Sequence, residues 1–143
     1  MTLYVRMMGW LHAVPKPPEG SKRATATEQN RLSRYEQQKK DGLEPRMPPN
    51  PMPHFIAWLV EIGMVEGGGM GPAPLSWREI AEWQRSVNVR LSPWEARLMR
   101  HLSAAYVGEK AKAESENYPA PWRSEVTQRE RDIEEARLRS VLG

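Results

Sequence analysis

The sequence has no cysteine, which excludes disulfides, thiolate metal sites and cysteine nucleophiles and fits a reducing compartment. Long apolar runs are also missing. The longest, Phe55 to Val60, falls far short of the roughly 18 to 20 residues that a membrane-crossing helix needs. A secretory leader is not expected, because Met1 to Val14 carries Arg6 and His12 within its apolar part and Pro15 follows without a small-residue cleavage site. The three histidines, His12, His54 and His101, fall in separate segments and none is four residues from another, so no zinc site is expected. There is no Gly-x-Ser-x-Gly elbow, and the run Gly67 to Gly69 is not followed by Gly-Lys-Ser/Thr, which excludes a Walker phosphate cradle. These absences lead to the expectation of a soluble intracellular protein without enzymatic activity, metal or cofactor.

What is present is a chain of 143 residues with 39% hydrophobic and 27% charged residues and a mean hydropathy of -0.71. That is enough apolar material for a small core with tails. Eight of the 13 prolines precede position 54. The net charge of +3 is uneven: residues 1–50 hold nine Lys/Arg against five Asp/Glu, and residues 51–143 hold twelve against thirteen. A basic arm invites nucleic acid as a partner. However, Lys22, Arg23, Arg31, Arg34, Lys39 and Lys40 are interleaved with Glu28 and Glu36, and only Tyr35 stands among them as a stacking platform, so a solvated arm is the preferred reading.

Three segments follow from this pattern: a basic, Pro-rich arm and spacer over 1–53, a compact helical domain over 54–122, and a charged C-terminal helix or tail over 123–143. Met1 to Val14, with Leu3, Val5, Trp10, Leu11 and Val14, is expected to dock as a short strand or irregular segment. Thr25 to Lys40 suits a helix whose only stripe is Leu32 and Tyr35, one that would fray in isolation. Pro45 to Pro53 reads as an extended spacer. His54 to Met64 is apolar nearly all round a helical wheel and is read as a short buried helix, with a buried strand as the alternative. The glycines from 67 to 71 are expected to form a flexible hinge.

The strongest local signals come next. Ser76 and Glu79 have capping-box spacing, and so do Ser92 and Glu95, with Pro93 at the first helical position. The two glutamates could be nominated as a carboxylate pair, but capping accounts for both. One helix is predicted from Trp77 to about Ser86, a turn at Asn88 suited to positive φ, and a second helix from Pro93 to about Ala113, together an αα-hairpin. The predicted core is Trp77, Ile80, Trp83, Trp94, Leu98, Leu102 and Tyr106, with His101 on a helix face. Trp58, Leu59, Ile62 and Trp122, near the hinge and the terminal arm, are the candidate partner-binding residues, because tryptophan is enriched at interface anchors. Ser124 to Leu142 is helix-compatible with a broken apolar stripe and i,i+4 pairs such as Glu135 with Arg139. The overall expectation is a mainly α fold.

The run "PLSWREIAEW" at 74–83, then "LSPWEARLMRHLSAAY" at 91–106, preceded by "FIAWL" at 55–59 and a Gly-rich break, resembles the tail assembly chaperones of tailed bacteriophages. The resemblance covers 54 to about 122 and rests on the combination of L-S-W-x-E-I-x-x-W with L-x-P-W-E and L-S-x-A-Y. It implies a non-catalytic role in virion morphogenesis in the host cytoplasm. Such a protein would coat the tape measure protein, bring tail tube subunits to it, and leave before the particle is complete. The family supplies no catalytic residues to carry over. A homo-oligomer is compatible with the pattern. A permanent virion component, such as a connector or tail-completion protein, and a small basic nucleic-acid-associated regulator are the alternatives.

Overall fold

The computed structural model describes residues 1–22 and 31–143. The described residues form six helices and one two-stranded sheet: α1 (Thr2–His12), α2 (Arg34–Lys40), α3 (Pro53–Glu61), β1 (Glu66–Gly68), β2 (Gly71–Ala73), α4 (Trp77–Val87), α5 (Pro93–Lys112) and α6 (Gln128–Leu142). The fold is mainly α, built around α5.

The N-terminal segment is a helix, not a strand or an irregular stretch. Its buried positions are Val5, Met7, Gly9 and Leu11, a spacing of two that resembles a strand in sequence. α1 buries them because it is covered on more than one side. The main cover is α5, which it approaches so closely at Gly9 that a Cβ there would stand 2.9 Å from the Tyr106 carbonyl oxygen and 3.4 Å from the Glu109 Cβ. Val5 is fully buried in the same core as Phe55, Leu59, Met99 and Leu102. Residues 1–14 therefore belong to the compact body, and the expected boundary at 53 does not separate them from it.

The chain after α1 is fastened to the far end of α5. Lys16 pairs in parallel with Ser115, its N–H donates to the Glu114 carbonyl at 2.7 Å, and its ammonium meets the Glu114 carboxylate. Arg34, the first residue of α2, does more. Its guanidinium donates to the carbonyls of Trp10, Ala113 and Ser115 at 3.2, 2.6 and 3.0 Å and lies 4.5 Å over the Trp10 ring. The negative ends of α1 and α5 thus converge on one cation. The predicted helix Thr25 to Lys40 is observed as α2 alone, opened by a Ser33–Glu36 capping box. The stretch 25–30 of that prediction lies outside the described residues.

α3 occupies the expected place, with Pro53 at its start and Phe55, Ile56 and Leu59 buried. The expected hinge is an ordered β-hairpin in which Glu66 faces Ala73 and Gly68 faces Gly71. Gly63 and Met64 carry φ of 103° and 66°, and these left-handed residues turn the chain from α3 into β1. One hydroxyl holds both sides of the hairpin. Ser103, fully buried on α5, donates to the Met64 carbonyl at 2.6 Å and accepts from the Leu75 N–H at 2.9 Å. Replacing it by alanine strands one buried acceptor and one buried donor. Ser103→Ala is expected to lower the free energy of unfolding by about 2–3 kcal/mol, measured by urea denaturation with an unchanged m-value.

Candidate functional site

Helices α4 and α5 start where the capping signals placed them, but only one box closes as expected. At α5 the Ser92 hydroxyl accepts from the Glu95 N–H at 3.2 Å and the Glu95 carboxylate accepts from the Ser92 N–H at 2.7 Å. At α4 the Ser76 hydroxyl accepts from the Glu79 N–H at 3.2 Å, while the Ser76 N–H is taken by the carboxylate of Glu66 at 3.1 Å. The reciprocal arm comes from the hairpin and not from Glu79. Asn88 ends α4 with φ 56°, the left-handed turn the sequence suggested.

The two helices settle which apolar residues are spent on folding. Ile80, Trp83, Leu102 and Tyr106 are buried, and Leu98 is half-buried against the core, as expected. Trp83 also donates its indole N–H to Glu61 at 3.0 Å. Trp77 and Trp94, expected in the core, are 52% and 59% exposed. The buried line of α5 runs through Met99, Leu102, Ser103, Tyr106 and Glu109, which keeps Leu102 and Tyr106 of the predicted stripe but is centred further round the helix. At about 100° per residue, that rotation carries Trp94 off the packed side. Ser103 and Glu109 are the reason: an apolar-periodicity reading passes over a serine that bridges the Met64 carbonyl and the Leu75 N–H and a glutamate paired with Arg6 at 3.0 Å.

The residues expected to meet a partner moved the opposite way. Leu59 is fully buried. Trp58 is half-buried and packs its edge on Phe55 and Trp83, each at 6.0 Å between ring centroids, and Ile62 packs on the same core. Trp122 is half-buried in a cleft with Met7, Trp10 and Tyr118. This set is therefore dispersed, with Leu59 unavailable to any partner.

What stands free is the outer face of α5 and the start of α4. Trp94, Arg97, Arg100, His101, Ala104 and Gly108 are all exposed and share one face of α5. The Arg100 guanidinium lies 5.4 Å from the centroid of the Trp77 ring, so Trp77 borders that face from α4 by a cation–π contact. Two large indoles held in water by short, capped helix starts form an apolar feature with basic neighbours, and its chemistry suits protein contact.

Toward the C-terminal end of α5 a cavity of about 420 Å³ opens between α5 and the hairpin, lined by Met64, Val65, Pro72, Val107, His12 and Tyr106 among others. His12 Nδ1 is 2.8 Å from the Tyr106 hydroxyl, and its ring meets those of Tyr35 and Tyr106 edge-on. Burial, and secondarily the charge of Lys110, push His12 below its ordinary value of 6.5. Burial raises Tyr106. Both groups are thus held neutral near pH 7. Among the described residues no three His, Asp or Glu side chains converge to hold a metal ion, and no helix is long and apolar enough to cross a membrane. No family model, curated protein or solved structure matches the chain.

The lowered His12 makes stability pH-dependent with a definite sign. The unfolded chain takes up the proton more readily, so stability contributed by neutral His12 is complete above about pH 6.5 and is lost as the pH falls through that value toward the folded one. Thermal melts between pH 7.5 and 5.5 are expected to show a falling Tm in the native protein, and His12→Gln should flatten that dependence.

Proposed function

We propose that the chain is an assembly chaperone of bacteriophage tails, a non-catalytic protein that holds the tape measure protein soluble and helps bring tail tube subunits to it. The resemblance of residues 54–122 to that family supports this reading, and one observation about the fold carries it further. Within the motif, Leu75, Ile80, Trp83 and Leu91 are buried and Ser76, Ser92 and Glu95 cap helices. Those residues are explained by folding. Trp77 and Trp94 are not, and an exposed tryptophan is among the side chains that contribute most at protein interfaces.

The partner surface of this proposal is therefore the outer face of α5 with Trp77, in place of Trp58, Leu59 and Ile62. α6 supplies the second contact. None of its residues is buried, and Leu138, Val141 and Leu142 face water at its end. That free apolar end also suits the alternative of a permanent virion component whose arm packs on a neighbouring subunit, and detection of the chain in purified particles would favour it.

Co-expression with a bacteriophage tape measure protein is expected to move that protein from the pellet to the soluble fraction. Trp77→Ala with Trp94→Ala should weaken capture about tenfold or more, while changing stability by less than about 1 kcal/mol because both side chains are exposed. Unchanged aggregation of the tape measure protein beside the native chain would refute the chaperone reading.

A further inference from the structure

The outer face of α5 has a charge as well as a shape, and the charge is unanswered within the chain. Arg97 and Arg100 lie on the strip, and Arg78 on α4 and Arg90 in the connection to α5 are exposed as well. Among the described residues none of the four makes an ion pair, and Arg100 has only its stacking on Trp77. Most carboxylates of α4 and α5 are engaged elsewhere, and Glu79, which the cap of α4 does not use, pairs with none of the four among the described residues. Glu95 closes the cap of α5, Glu82 pairs with Arg85, and Glu109 is buried against Arg6. The strip continues past the arginines as Ala104, Gly108 and Ala111, and a Cβ added at Gly108 meets nothing within 4 Å. Nothing in the chain's own packing requires the glycine, and its lack of a side chain leaves room for another backbone to lie close.

We propose that the outer face of α5 binds an acidic amphipathic helix of a protein partner, whose carboxylates pair with Arg97 and Arg100 and whose apolar side chains seat between Trp77 and Trp94. The inference rests on the chaperone reading for the identity of the partner but not for its chemistry. A guanidinium is a planar fork that meets a carboxylate through two parallel hydrogen bonds, and tryptophan gives such a contact its dry centre. From Trp94 to Ala111 the face runs about 25 Å at 1.5 Å per residue, which a partner helix of about 17 residues would cover. Nucleic acid fits less well. Only two of the cations lie on the strip itself, α4 interposes Glu79 and Glu82, and phosphate binding draws its strength from many clustered cations.

The test uses the full chain and three fluorescent probes. The first is a helical peptide of about 20 residues with leucine at the first and fourth heptad positions and glutamate beside them. The second is its counterpart with lysine for every glutamate, and the third is a DNA duplex of matching length. Anisotropy titrations are expected to show the glutamate peptide bound at least about tenfold tighter than the lysine peptide, with an affinity that falls as salt is added. R97E with R100E should reverse that order, R97Q with R100Q should abolish the difference, and W77A with W94A should weaken both peptides. Equal binding of the two peptides, absence of binding, or tighter binding of the duplex would overturn the inference. If the tape measure protein stays soluble beside the R97E/R100E chain, the acidic partner is refuted while the chaperone reading stands. If the glutamate peptide binds as described and the tape measure protein still aggregates, the reverse holds.

Discussion

The close crossing of α1 over α5 at Gly9 is the constraint on which the remaining structure depends. Without a side chain there, the backbone of α1 comes to within contact of the Tyr106 carbonyl. That approach lets Val5 reach the core, Arg6 reach Glu109, and His12 reach Tyr106. A side chain at position 9 would push the helices apart and lengthen each of these contacts together. Burying Glu109 with a single partner is costly in itself, and its second oxygen has no hydrogen-bond partner, so the pair serves orientation more than stability. Arg34 then locks the crossing from its far end by holding carbonyls of both helices.

Around that crossing the body is organised by helix starts. α2, α5 and α6 each open with a hydroxyl residue and a glutamate three positions on, closed reciprocally. α4 borrows its glutamate from β1, and this loan ties the hairpin to the hairpin's own exit. Together with the Ser103 hydroxyl it makes a glycine-rich segment part of the folded body. The same fixed starts hold Trp77 and Trp94 at the first and second positions of their helices, where a large ring has water on most of its surface.

Sequence alone revealed those parts of the fold whose signals are local. Ser92, Pro93 and Glu95 act within one turn, and Asn88 needs only its own backbone, so α4, α5 and their connection could be read directly. α1 could not. Its buried residues are defined by what covers them from two sides, and Gly9 has meaning only opposite Tyr106. The expected core differs at Trp77 and Trp94 for a related reason. A tryptophan in a small domain is reasonably assigned to the core by bulk, yet the buried line of α5 includes Ser103 and Glu109, and these polar residues rotate the helix away from the reading that hydrophobicity gives. Trp94 consequently stands exposed, while Leu59 on α3 is fully buried.

α6 stands apart in one physical respect. Its capping box and its ion pairs, Arg139 with Glu135 and Arg137 with Asp41, all lie at the surface. Of its apolar residues only Ile133 is partly covered, and exposure of apolar area is the main source of the heat-capacity rise on unfolding. Its detachment would therefore leave the heat-capacity baseline almost level, and because surface ion pairs hold it, added salt would favour that step.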